Sequence, residues 1–158
     1  MTSPARDTDE LLFTQDGAGI ARLVLNRPQA RNALTFGMYQ GIIDHCGRIA
    51  ADPSVRVLVI TGAGEKAFAA GTDIAQFRGF ASAQDALDYE RFMDRVMGAL
   101  ERLRVPVIAA IAGACTGGGA AIADTDPAAP SLSCPPRAQC GVISEIVPEA
   151  RCGHIHQH

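Results

Sequence analysis

The chain has 158 residues, 47% hydrophobic, 20% charged and 5% aromatic, and its 14 basic and 17 acidic side chains leave a net charge of −3. That length fits one domain with a core of its own, and the composition excludes wholesale disorder. The acidic balance, with no block of Lys and Arg, argues against a nucleic-acid partner, and no run of about 18 apolar residues is present to span a membrane.

Residues 1–10, Met1 to Glu10, are polar and acidic and read as a flexible N-terminus without the basic-then-apolar order of a signal peptide. Five cysteines in such a chain read as reduced thiols, so the expected compartment is the cytoplasm. Leu11–Gln15 and Ile20–Asn26 are β-rich runs separated by Asp16-Gly17-Ala18-Gly19, which predicts a hairpin. Arg27-Pro28 closes the second strand. From Thr35, an expected N-cap, apolar residues recur at Tyr39, Ile42, Ile43, Cys46, Ile49 and Ala50, the spacing of a helix that Asp52-Pro53 stops. His45 falls on the solvent-leaning side of that helix and is expected at the surface. Val55–Thr61 is β-branched and nearly all apolar, like a strand buried on both faces.

A second helix is predicted from Ser82, with Asp85 in capping-box position and an apolar stripe of Ala86, Tyr89, Met93, Val96, Met97, Leu100 and Leu103. That stripe reads as core. Pro106 ends the helix and Val107–Ile111 is another buried strand. The glycines Gly117-Gly118-Gly119 lead into a helix start at Ala120–Ala123. Hairpin, helix, strand, helix, strand, glycine turn and helix indicate an α/β fold with mainly parallel strands over residues 11–123. From Asp124 to Cys140 the chain holds four of its nine prolines and no period, and Gly141–Pro148 regains strand-like apolarity. Residues 124–158 form a divergent tail.

Three segments, read as loops after strands, carry the chemistry: Asn26–Leu34, Lys66–Ile74 and Ala112–Ala120. In α/β sheets ligands gather outside the carboxyl ends of strands, so the second and third loops are candidates to line one crevice. Small residues admit close approach to the backbone, and glycines opening a helix present free N–H groups. Such a pair of loops suits an oxyanion held by amides. The alternative is that the glycines serve only tight strand-to-helix packing. A phosphate loop fits poorly, because no Gly-Lys-Ser/Thr follows and the spacing is not that of a dinucleotide fingerprint.

Together and in this order, the three segments resemble the enoyl-CoA hydratase/isomerase (crotonase) superfamily over residues 11–123. Asn26-Arg27-Pro28 through Asn32-Ala33-Leu34 is similar to that family's first CoA-binding turn. Phe68-Ala69-Ala70-Gly71-Thr72-Asp73-Ile74 is similar to its A-G-x-D-[IL] loop, and Gly113–Gly119 to its second oxyanion segment. The resemblance implies a crotonase-like ββα spiral, assembly into trimers or hexamers, and an acyl-CoA thioester as ligand, with neither a metal nor a redox cofactor. It implies the backbone N–H groups of Thr72 and Gly118 as the oxyanion hole that stabilises a thioester enolate. Ala30, Arg31, Ala70, Asp73, Ile74 and Gly117 would lie along the CoA, Arg31 beside a phosphate, and Asp73 would serve binding rather than proton transfer.

The chain departs from the family at two glutamates. Ala121 stands where the first is expected and transfers no proton, and the stretch that carries the second is not found. Gly141–Pro148 resembles a segment that the family carries much later. The expectation is therefore a spiral incomplete at its C-terminal side, truncated, frameshifted or internally deleted. Two functions stay open: an acyl-CoA-binding enoyl-CoA hydratase/isomerase family enzyme, or a non-catalytic remnant that binds CoA weakly or associates with related subunits. Cys134, Cys140, Cys152, His154, His156 and His158 invite a metal site, but their spacing matches no usual zinc pattern, so none is expected. Cys115, with no His partner nearby in sequence, reads as a small buried thiol rather than a nucleophile.

Overall fold

The structure, a computed structural model, describes residues 9–125. The predicted hairpin forms from β1 (Leu11–Gln15) and β2 (Ile20–Leu25), paired antiparallel with Leu11 opposite Leu25. Asp16 closes the turn, its carboxylate accepting from the Ala18 and Ile20 amides at 3.0 Å each. Helix α1 (Phe36–Ala51) begins at Thr35, whose hydroxyl accepts from the Met38 amide. Its last turn gives way to an extended Asp52. Strand β3 (Val57–Gly62) follows, then β4 (Ala67–Ala69) and a 3-10 segment at Ile74–Gly79. Helix α2 (Ala83–Glu101) opens on the Ser82–Asp85 capping box. Strands β5 (Val107–Ala110) and β6 (Ala114–Cys115) lead to α3 (Gly118–Ala123), which begins two residues earlier than the sequence suggests.

The main sheet has the order β1-β2-β3-β5, antiparallel at the hairpin and parallel elsewhere. A second, two-stranded parallel sheet joins β4 to β6. Both of its strands fall in segments that the sequence presents as loops. With only three and two residues, they are too short to carry a periodicity.

Register explains the core. Ala21, Leu58 and Val107 lie side by side across three strands, as do Leu23, Ile60 and Ala109, and all six are buried. Their neighbours Val59, Ile108, Val24, Thr61 and Ala110, on the other face, are only half-buried. The expectation of a strand buried on both faces is thus corrected: among the described residues the main sheet is fully covered on one side. Of the α2 stripe, Val96 and Leu100 are buried, Met93 and Met97 pack at the edge of the core, and Ala86 is exposed. Leu103 packs on the core from beyond the end of the helix.

A second correction concerns His45, which is 1% exposed. Helix α1 is packed by α2 and also by β1, so its buried stripe is wider than the spacing of apolar residues indicates. The His45 ring stacks on Phe13 of β1, centroids 4.5 Å apart, and the Arg48 guanidinium lies over the same Phe13 ring at 5.0 Å. The buried thiol of this helix, Cys46, is pushed up to about 12 by burial, which disfavours the reactive thiolate.

Leu23 sits on a central strand with no exposed surface, so Leu23→Ala is expected to lose about 2–5 kcal/mol of stability, read from the shift of a urea unfolding midpoint.

Candidate functional site

The first of the three segments is shaped by two successive left-handed residues, Arg31 at φ 51° and Asn32 at φ 54°. Asn tolerates this conformation better than most residues, because its short polar side chain can bond locally. Here the Asn32 side chain is fully used. Its Oδ1 accepts from the Arg27 amide at 2.9 Å, and its Nδ2 donates to the Ala63 and Ala67 carbonyls at 3.0 and 2.7 Å. Three separate pieces of backbone are tied to one buried amide.

Arg27 makes the second tie. One terminal nitrogen donates both to the Ala33 carbonyl at 2.7 Å and to Asp73 Oδ2 at 3.0 Å, and Nε pairs with Glu10 at 3.1 Å. Asp73 caps the 3-10 segment by accepting from the Ala75 amide at 3.0 Å. That bond, followed by the one from Arg27, holds the Asp73 carboxyl below its ordinary range. Arg27 and Asn32 are residues of the first motif whose structural work the sequence does not announce.

Backbone bonds complete the contact between segments one and two. Ala70 donates to the Arg31 carbonyl at 3.0 Å, Leu34 to the Gly71 carbonyl at 2.8 Å, and Asp73 to the Leu34 carbonyl at 2.9 Å. The last two bonds form a parallel bridge between Leu34 and Thr72. In such a bridge the neighbours of the central residue do the bonding, and its own N–H and C=O point to the opposite side. Among the described residues, no acceptor takes the Thr72 N–H.

On that opposite side runs the glycine segment. Ala114 donates to the Lys66 carbonyl at 3.1 Å and Thr116 to the Ala69 carbonyl at 3.0 Å, which brings Gly117 and Gly118 against Gly71 and Thr72. A Cβ on Gly117 would lie 3.4 Å from Gly71 Cα. One on Gly118 would lie 3.2 Å from Thr72 Oγ1 and would overlap the Tyr39 hydroxyl, and one on Gly119 would come within 2.6 Å of Ala69 Cβ. At Gly118 and Gly119 the requirement is space, since only a hydrogen fits there, whereas Gly117 is required by its backbone, at φ 52° and ψ −125°. Gly118 is the first residue of α3, so its N–H has no acceptor within the helix, and among the described residues it has none elsewhere.

The structure thus brings Thr72 and Gly118 together, each with a backbone N–H that has no acceptor among the described residues. Ala30 and Asp73 are half-buried, Arg31, Ala70 and Gly117 are exposed, and Ile74 is 83% exposed, an unusual position for a large apolar side chain. Ala121 lies on the exposed side of α3. Cys115 is half-buried, less enclosed than expected, because β6 lies at an edge. Among the described residues no three His, Cys, Asp or Glu side chains gather as metal ligands, and no helix is long and apolar enough to cross a membrane. The six Cys and His residues weighed as a metal site, from Cys134 to His158, lie outside the described residues, as does Gly141–Pro148. A cavity of about 400 Å³ between Ile49–Val55 and Arg102–Val105 contains none of the site residues.

Sequence reasoning also missed a line of hydroxyls behind Thr72. Its Oγ1 is 2.8 Å from the Tyr39 hydroxyl and 3.0 Å from that of Tyr89. Both tyrosines stood in apolar helical stripes, where only a side chain with a polar end hints at a partner.

Residues 15–126 match the family model for enoyl-CoA hydratase/isomerase, and the chain belongs to that family. It is 40% identical over 104 residues to crotonyl-CoA hydratase of Syntrophomonas wolfei, covering 66% of this chain and 40% of that protein. It is also 40% identical over 113 residues to the mitochondrial 3-hydroxyisobutyryl-CoA hydrolase of Gallus gallus, covering 70% of this chain and 29% of that protein. The crystal structure of an enoyl-CoA hydratase/carnithine racemase from Magnetospirillum magneticum superposes with a TM-score of 0.71 at 38% identity, over 77% of this chain and 45% of the other. The chain therefore spans less than half the length of these relatives, and the expected crotonase-type α/β fold is present over the part they share.

Asn32 is 1% exposed and satisfies three buried backbone groups, so Asn32→Ala is expected to cost about 2–4 kcal/mol, at the upper end for a hydrogen-bonding side chain. Calorimetric melting checks the loss. Asn32→Asp should not rescue it, because a carboxylate would face the Ala63 and Ala67 carbonyls without a donor.

Proposed function

We propose that this chain binds an acyl-CoA thioester and polarises its carbonyl between the Thr72 and Gly118 amides. The observation that carries the reading is the parallel bridge at Leu34, which turns the Thr72 N–H away from the first segment, with Gly118 close beside Thr72. A carbonyl oxygen accepting from both donors gains negative charge, and the same pair stabilises the fuller charge of an enolate. Donors already in place cost nothing to reorganise, and removal of one such donor typically costs about 10²–10³ in rate. The names of the relatives support the ligand, since both a CoA-ester hydratase and a CoA-ester hydrolase are among them. The two reactions share a polarised thioester and differ in the groups around it.

Along the CoA, Ala30, Ala70 and Gly117 offer small surfaces for close approach. The exposed Ile74 side chain offers an apolar face for the adenine or the pantetheine arm, and Arg31 offers a cation for a phosphate. Asp73 serves by holding the loop: its carboxylate is committed to Ala75 and Arg27. Neither a metal nor a redox cofactor has a part in this reading.

Ala121 favours a second reading, of CoA binding without turnover. At the exposed position on α3 after the glycines it has only a methyl group, so the polarised carbonyl has no proton-transfer partner from that helix. Assembly with further copies or related subunits belongs to either reading.

A thermal melt tests the binding step. Excess acetoacetyl-CoA is expected to raise the midpoint by roughly 5–10 °C at a hundred times its dissociation constant, corresponding to about 2.7 kcal/mol by mass action. Free CoA should raise it less, since it lacks the carbonyl. An unchanged midpoint with both ligands would refute the reading. Loss of absorbance of a short conjugated enoyl-CoA then separates turnover from binding alone.

A further inference from the structure

We infer that Tyr39 is a positioning residue that holds the Thr72 and Gly118 amides in register, acting through the Thr72 hydroxyl. The inference rests on the acyl-CoA reading above and names a group that neither the motifs nor the backbone pairing identify.

Tyr39 stands one turn into α1 and has no exposed surface, yet its hydroxyl reaches the point where the second and third segments meet. There it makes two contacts. It bonds Thr72 Oγ1 at 2.8 Å, and it lies so near Gly118 that any Cβ there would overlap it. The phenol end is therefore a spacer between the two residues that present the paired donors. Its ring is held edge-on by Phe92 of α2, centroids 6.2 Å apart at 89°, so it cannot slide away without opening the helix pair.

Thr72 has its backbone fixed on one side by Leu34 and its side chain fixed on the other. Leu34 holds the Gly71 carbonyl and the Asp73 amide, while Tyr39 and Tyr89 hold Oγ1 at 2.8 and 3.0 Å. Both restraints limit rotation of the peptide plane that carries the Thr72 N–H. Burial pushes Tyr39 up to about 12, so its proton stays in place across the ordinary pH range. A buried hydroxyl is costly unless bonded, and here its bond to Thr72 offsets that cost. The hydroxyl supplies both the bond and the spacing, and a leucine or phenylalanine would supply neither.

The test is Tyr39→Phe in the full chain, which keeps the ring and removes only the hydroxyl. The probe is butyryl-CoA carrying carbon-13 at the thioester carbonyl, followed by infrared difference spectroscopy. The wild type should shift the carbonyl stretch to lower frequency on binding. Tyr39→Phe should lose most of that displacement while the dissociation constant stays within about threefold, a split that general loosening of the fold would not produce. Thr72→Val, which cuts the line from its other end and leaves the amide in place, should reproduce the loss, and Thr72→Ser should restore it.

A full wild-type displacement in Tyr39→Phe overturns the inference while leaving the acyl-CoA reading standing. No displacement in the wild type overturns that reading and this inference with it. Should Tyr39→Phe lose its cooperative melt, Thr72→Val decides. Loss of the melt in both variants would make the hydroxyls purely structural and would also overturn the inference.

Discussion

Two backbone bonds at Leu34, one to the Gly71 carbonyl and one from the Asp73 amide, fix the direction of everything that matters at the site. They are short of a strand, yet they impose strand geometry on Thr72 and so turn its N–H away from the first segment. The rest of the first segment serves that geometry. Asn32 ties the left-handed turn to the ends of β3 and β4, and Arg27 ties it to Asp73, so segments one and two behave as one body. The glycines then let the third segment approach closely enough for a second amide to join the first. A side chain of any size at Gly118 or Gly119 would separate them.

The parts of this arrangement visible in the sequence are those with strong local rules. Asp16-Gly17-Ala18-Gly19 between two β-branched runs makes a hairpin whatever surrounds it, and Thr35 and Ser82 cap their helices with their own side chains. The parallel order of β2, β3 and β5 was legible because intervening helices demand it. The three motifs were legible by their resemblance to a family, and the family match and the related structure agree with that resemblance.

What stayed hidden depends on contacts between distant segments. Strands β4 and β6 have five residues between them, mostly alanine, and exist only because each finds the other. Helical phase alone puts His45 at the surface, but the hairpin places Phe13 above it. Tyr39 and Tyr89 read in sequence as apolar members of two stripes. Only the fold shows that their hydroxyls converge on one threonine. In the same way Arg27 carried the motif in sequence without showing that it reaches a carboxylate 46 residues away.

The proposed role requires the Thr72 and Gly118 amides, which have no acceptor among the described residues, to donate to one acyl-CoA carbonyl. Amide hydrogen exchange at these two positions, resolved by NMR, tests it most directly. Both amides should exchange rapidly in the free chain despite the well-ordered segments around them, and both should slow together when acetoacetyl-CoA binds, with little change from free CoA. Protection of either amide in the free chain, or slowing of only one on acyl-CoA binding, would contradict the account.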